Sequence, residues 1–402
     1  MKRKYLIEGT LFLTYVSFAL SWVCATVSIH NIMDQMGIHT LTLASTLSSA
    51  VTIAKIVGTA IAALIVSRLG LRHAISVATL LICCGILTPL APSFPVLLIS
   101  RFLVGLGGAL LLVYFNPIAV EWFTAAEMPF VNGLNNTAFN IGATLALFFM
   151  PWASSVLGGW RTVLLAVSAL SIVLTLVWLI FGKTRLEKGE TVVRAQGERY
   201  RLRDGLRDAV TWNITLTYAG LLSFYIVLFT FYPSAGIQQT ETVLLSGIAG
   251  GICGMVAAGR VKSRRLLLLR VFGVIQLVAA FALSFAAPSA FALGSAIVLG
   301  FSLTFPVATL LTLGQDQPGM TTARVSVRFS IFWSTGYLVA TIWATVFAKI
   351  VDLNHGNYHT ALLFNCLIEG SFLIGALLLK DRRSFDSTGE ALVGDAPGTQ
   401  PG

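Results

Sequence analysis

The chain has 402 residues, of which 56% are hydrophobic and only 11% charged, and its mean hydropathy is +0.83. A soluble domain carries about 25% charged residues, and one of this length has a large surface to cover with polar groups. Too few are available, which excludes soluble enzymes, secreted domains and DNA-binding proteins and requires an outer surface facing hydrocarbon.

Apolar runs, cut at charges and turn residues, predict twelve membrane spans: 9–30, 41–67, 74–91, 94–120, 131–152, 161–182, 210–233, 243–259, 266–286, 289–313, 325–348 and 360–380. Each is near the length of about 20 residues that crosses a bilayer as a helix. The net charge of +10 is not a nucleic-acid footprint. Basic residues cluster at Lys2–Lys4, Arg68–Arg72, Lys183–Arg207, Arg260–Arg270 and Lys380–Arg383, and the alternate connections are nearly free of them. That alternation follows the positive-inside rule. It places both termini in the cytoplasm of a multi-pass inner (plasma) membrane protein whose basic side contacts anionic lipid. The five cysteines lie in apolar runs and read as small core residues.

Span one carries Thr14, Ser17, Ser21, Cys24 and Ser28 at spacings that hold one helix face. Such a stripe serves either a cavity or helix packing. Span two carries Ser45, Ser48, Thr52, Lys55 and Thr59 in the same rhythm. Lys55 lies about fourteen residues into that span, which at 1.5 Å per residue is about 20 Å deep. An ionisable group at that depth is a functional candidate. It reads as a cation lining an aqueous cavity, against the plainer reading of an ion pair or a snorkelling side chain. Span five contains Asn132, Asn135, Asn136 and Asn140. Buried amides need partners, which a polar substrate or neighbouring helices would supply; Asn136 and Asn140 are the better placed for a substrate.

The long polar segment 183–208 joins two sets of six spans. On span seven Tyr218, Tyr225 and Tyr232 recur every seven residues, and span eleven carries Trp333 and Tyr337. Core packing is the ordinary explanation, with Tyr225, mid-span, also placed to close over a substrate. Span eight is dense in glycine (Gly247, Gly250, Gly251, Gly254), which permits close helix approach and a rocking contact. Arg324 and Arg328 enter span eleven one turn apart and read as an anchor or a gate. Acids are scarce. Glu8, Glu121 and Glu127 fall near the basic-side interface, and only Glu369 lies deep in a span, the twelfth. With Lys55 positive and no mid-span acid facing it, the pattern favours anionic substrates. No metal, nucleotide or catalytic-triad pattern is present, so neither an enzyme nor a cofactor is expected.

The halves repeat. Basic residues close span two (Arg68, Arg72, His73) and span eight (Arg260, Arg264, Arg265), Ala-Pro-Ser recurs at 91 and 287, and prolines fall late in spans four and ten (Pro117, Pro306). A parallel six-plus-six repeat is a transporter architecture with its site near the midplane.

On these residues the chain resembles the major facilitator superfamily over essentially its whole length. That family's signature after the second helix appears as Ala63, Ser67-Arg68, Gly70 and Arg72-His73, with its glycine and aspartate replaced. The loss of the aspartate puts in question the inter-helix charge pairing ascribed to it. The helix-four signature matches at Arg101, Gly105, Gly107 and Gly108, and Glu121-Trp122-Phe123, Asn132-Gly133-Leu134 and Gly159-Trp160-Arg161 resemble bacterial members. Within the family the cyanate-permease-like and related organic-anion carriers are the nearest likeness.

The resemblance implies an all-α membrane protein of twelve transmembrane helices in two six-helix pseudo-symmetric halves, 1–182 and 209–382, with a linker at 183–208 and a disordered tail at 383–402. It implies a proton-coupled secondary carrier working as a monomer, here of a small organic anion, the alternative being an exporter of drugs or hydrophobic metabolites. The expected substrate set is Lys55, Arg101, Thr52, Ser21, Asn136, Asn140, Tyr225, Trp333 and Tyr337. Arg68, Arg328, Glu121 and Glu369 are the expected gating or coupling residues. Arg101 reads either as an interior organiser of substrate and proton or as a structural arginine on backbone carbonyls.

Overall fold

Hydrocarbon offers no hydrogen bonds, so a chain crossing it closes its backbone within helices. The computed structural model describes residues 2–37, 41–184, 200–261, 264–285, 289–317 and 319–379, with no strand among them. Twelve helices cross the molecule: α1 Lys2–Val27, α2 Leu41–Leu69, α3 Leu71–Leu90, α4 Phe94–Trp122, α5 Met128–Leu157 and α6 Trp160–Phe181, then α7 Ala209–Phe231, α8 Thr240–Arg260, α9 Arg265–Phe285, α10 in two segments (Ser289–Thr304 and Val307–Gln315), α11 Thr322–Leu353 and α12 His359–Leu378. Eleven helices among the described residues are long and apolar enough to cross a membrane, and α5 is the twelfth that crosses the molecule. The spans fall where the apolar runs placed them. Two short helices, Ile29–Met36 and Leu202–Arg207, were not expected, and the second lies within the linker. Residues 185–199 of that linker and the tail at 383–402 lie outside the described residues.

Prolines shape three spans, each differently. Pro89 has no N–H to offer the carbonyl four residues back, and the preceding Cys84–Ile86 tightens into a 3₁₀ turn within α3. Pro117 orphans the carbonyl of Val113 in the same way, yet α4 runs on unbroken. There the Asn116 amide donates to the Val113 and Leu112 carbonyls, both at 3.4 Å. The counterpart Pro306 follows Phe305, which has no donor to lend, and α10 breaks at that point.

The helices pack as a repeated pattern. Within the first half α1 packs on α5 and α6, α2 on α4, and α3 on α4 and α6. Adding six to each number gives the packing of the second half: α7 on α11 and α12, α8 on α10, and α9 on α10 and α12. The main contacts between halves, α2 with α11 and α5 with α8, exchange under the same operation.

Helix α4 is the hub of the first half because three glycines face three neighbours. A Cβ on Gly105 would press on the Val51 backbone of α2, one on Gly107 on Ala78 and Ile82 of α3, and one on Gly108 on the Phe18 ring of α1. Hydroxyls face inward, as where Ser17 of α1 meets Ser171 of α6 at 2.7 Å, while Val278, Ile180 and Leu353 face outward. Cys24 and Cys366 are buried as expected, but Cys253 is exposed on α8, where a thiol suits a lipid-facing surface.

Between the halves, Gly133 of α5 lets Met255 of α8 approach so closely that any Cβ there would overlap its side chain and backbone. This crossing sits at the linker end of both helices. Gly133→Val is therefore expected to keep the halves apart on that side while leaving each half folded. The measurement is a spin-label distance between the linker-side ends of α5 and α8, which should lengthen, together with solute counterflow, which should fall at least tenfold.

Candidate substrate cavity

A cavity of about 140 Å³ lies between the halves, lined from α1, α2, α4, α5, α7, α10 and α11. Its one cationic lining residue among those described is Lys55, only 2% exposed. No carboxylate pairs with it among the described residues. The ammonium instead donates to the Tyr337 hydroxyl across the halves at 3.1 Å. Four rings surround it: Trp22 at 4.2 Å, Tyr337 at 4.8 Å, Phe139 at 5.1 Å and Phe18 at 5.6 Å from Nζ to centroid. Each such contact is worth about 0.5–2 kcal/mol, the more so when desolvated, so together they partly replace a counter-ion. Phe18 reaches this position because Gly108 leaves room for its ring.

Tyr225 donates across the halves to the Asn140 carbonyl at 2.8 Å. Tyr218 packs against Phe332 and Trp333, and Trp333 stacks on Tyr337. Of the substrate residues expected from sequence, Lys55, Asn136, Asn140, Tyr225, Trp333 and Tyr337 all line this one cavity. The other three do not. Arg101 is buried against α1 and donates to the Ser21 and Trp22 carbonyls at 3.2 and 3.0 Å. Ser21 lies beside Gly85 of α3, and Thr52 stands one turn from Lys55, half-buried, outside the lining. Arg101 thus acts on the cavity indirectly, by fixing the α1 turn that carries Trp22.

Several cavity residues were not picked out from the sequence. Tyr15 and Trp22 line it from α1, and with Glu8 they recur every seven residues on one helix face, a signal that was legible. Glu8 was expected at the interface. It is 3% exposed, its neighbour is Asn135 of the cavity wall, and neither side chain meets a hydrogen-bond partner at normal length among the described residues. Its burial follows from α1 beginning at Lys2, several residues before the apolar run. Asn116 and Thr304 also line the cavity, beside the two proline sites.

On the linker side the hydrogen bonds described between the halves come from amides and hydroxyls. Asn132 of α5 and Gln315 of α10 exchange amide hydrogen bonds at 2.6 and 3.1 Å. Gln315 also donates to Asn116 of α4, and Asn132 to Thr312, each at 2.9 Å. Ser330 of α11 inserts its hydroxyl into the α2 backbone ladder, accepting from the Ala63 N–H and donating to the Thr59 carbonyl. Inserted side chains of this kind bend a helix, here one turn beyond Lys55.

The expected gating residues lie apart from the cavity. Arg68 is exposed at the end of α2 and Glu121 half-buried at the end of α4. Glu369 is buried in α12 with no hydrogen-bond partner for either oxygen among the described residues. Arg328 ties α11 to its neighbours, donating to the Gly314 carbonyl, the Thr211 hydroxyl and the Asp208 carboxylate at 2.7 Å.

With the fold and cavity in place, comparison with known proteins decides the family. A model of the Major Facilitator Superfamily matches residues 11–344. The chain belongs to this superfamily. It is therefore a multi-pass membrane transporter of a small molecule and not an enzyme. An uncharacterised Campylobacter jejuni protein is 32% identical over 232 residues, 58% of this chain and 71% of that one. The hexuronate transporter of Escherichia coli K12 is 34% identical over 100 residues, 25% of this chain and 23% of that one. Among solved structures, the human organic anion transporter aligns with a TM-score of 0.72 at 12% identity, over 94% of this chain and 99% of that one. A proton:xylose symporter aligns at 0.69 and 16%, over 94% and 95%. The fucose:proton symporter of Escherichia coli aligns at 0.65 and 15%, over 92% and 98%. Likeness at these identities shows the fold alone.

Asp208, just outside α7, provides a pH test of the linker-side structure. Burial alone would raise its carboxyl, but hydrogen bonds from Arg328 and Thr211 and the Arg328 charge hold it below the ordinary carboxylate value. A carboxyl so held stabilises the fold above the unfolded value of about 3.9 and loses that contribution as pH falls below it. Asp208→Asn is expected to destabilise by about 2 kcal/mol at neutral pH. In thermal unfolding in detergent, the gap from the parent protein should hold between pH 7 and 5 and close only in stronger acid.

Proposed function

We propose that this transporter is a secondary carrier that moves a small organic anion by alternating access, rocking the half at 1–182 against the half at 209–382 with 183–208 as the linker. The observation that carries this reading is Lys55, a cation buried in the cavity wall with aromatic rings and a phenol for company instead of a carboxylate. Burying an unpaired charge is costly, and an anionic ligand relieves that cost. A cationic ligand would add to it. The hexuronate transporter and the human organic anion transporter are named for acidic solutes, which agrees in kind.

Lys55, Asn136, Asn140, Tyr225, Trp333 and Tyr337 contact the anion, with Arg101, Ser21 and Thr52 supporting the helices that carry them. The uncharged linker-side contacts hold one closed state, and Arg68, Arg328 and Glu121 belong to that gate. The proton that drives transport is carried by the solute or by a buried acid, of which Glu369 and Glu8 are the two candidates. The basic linker side faces the cytoplasm of an inner membrane, with both termini there, and the carrier acts as a monomer.

The rings of the cavity also suit an exporter of lipophilic compounds, and the two readings separate on Lys55. Losing a charged hydrogen bond costs about 1.5–3 kcal/mol, so Lys55→Ala should weaken anion counterflow in proteoliposomes by about tenfold or more. Counterflow of a lipophilic cation that the same substitution leaves unchanged would support the exporter and sink the anion carrier.

A further inference from the structure

We infer that the anion this cavity takes is an aromatic monocarboxylate with a benzene-sized body, an assignment that rests on the anion-carrier reading above. Size is the first reason. The cavity measures about 140 Å³, and an apolar protein cavity of about 150 Å³ accommodates benzene. Charge is the second. Lys55 is the one cation in the described lining, so a second carboxylate would be buried without a partner.

The third reason is what hydrogen-bonding capacity the walls leave unspent. An ammonium has three donors, and Lys55 spends one on Tyr337. The Trp333 indole N–H is buried with no acceptor among the described residues. Asn140 uses its carbonyl to accept from Tyr225, which leaves its NH₂ group for a ligand. These three groups are all donors, which suits a carboxylate, since it only accepts. A sugar acid needs acceptors for its hydroxyls as well. Of the lining amides, Asn132 and Asn116 are already held by Gln315, which leaves the carbonyls of Asn135 and Asn136 for the several hydroxyls of such a solute.

Ring geometry is the fourth reason. Lys55 Nζ lies 4.8 Å from the Tyr337 centroid, and the Trp333 ring stacks on Tyr337 at 6.1 Å. Lys55 from the first half and Trp333 from the second thus both contact Tyr337, so the lining offers a carboxylate donors from both halves. Its ring then lies among Tyr218, Trp333 and Phe139, where a flat π-face gains offset and edge-on contacts that a saturated ring lacks.

Four probes of similar size test this by counterflow and by ligand quenching of tryptophan fluorescence in the full-length protein: benzoate, cyclohexanecarboxylate, glucuronate and neutral benzamide. Benzoate should bind about threefold to tenfold tighter than cyclohexanecarboxylate, by the worth of aromatic pairing, and tighter still than glucuronate. Cyclohexanecarboxylate or glucuronate binding as well as benzoate would overturn the aromatic assignment while leaving the anion carrier standing. Benzamide matching benzoate would overturn both. Trp333→Phe keeps a ring and removes only the N–H; it should weaken benzoate about tenfold, and unchanged affinity would remove the indole from the site. The ranking in the unsubstituted protein decides the class even if that variant does not fold.

Discussion

In hydrocarbon a polar group that finds no partner inside the protein finds none at all, and this condition shapes both the helices and the cavity of this transporter. Pro117 leaves a carbonyl open in α4, and Asn116 closes it. The same side chain also accepts from Gln315 of the opposite half. A local backbone repair has thereby become part of the contact between halves. Where no such neighbour stands before Pro306, α10 breaks, and the break lies beside the cavity. Two of the three proline interruptions thus fall beside the cavity.

Lys55 is the exception to that condition, and its surroundings explain how the exception persists. A phenol and four rings hold the ammonium without neutralising it. A carboxylate in that position would satisfy the lysine permanently and leave nothing for a solute to supply. Cation–π contacts are weaker and leave the net charge in place. Much of the first half serves to hold this arrangement: the Gly108 gap admits Phe18, and Arg101 braces the turn that presents Trp22.

The hydrogen bonds described across the linker-side closure likewise avoid charge. Ser67 stands where the superfamily signature has an acid, and the hydrogen bonds described between the halves there come from amides and hydroxyls. Neutral groups cost less to desolvate when such a contact closes than an ion pair does. The ion pair of Arg328 with Asp208 joins α11 to the end of the linker just before α7.

Span number and the repeat were legible in the sequence, because each depends on local quantities: run length and the recurrence of short motifs along the chain. Six of nine expected substrate residues share the cavity for the same reason, lying mid-span on faces that periodicity identifies. Tertiary structure alone decided the rest. Whether Arg101 faces a solute or a carbonyl depends on where α1 crosses α4, and no pattern within α4 records that crossing. The burial of Glu8 depends on a helix beginning before its apolar run, and the joining of Asn132 to Gln315 depends on two halves meeting across 183 residues of chain. Periodicity determines which way a side chain points along its own helix. What it points at is set by the other helices, whose approach is governed by packing between residues remote in sequence.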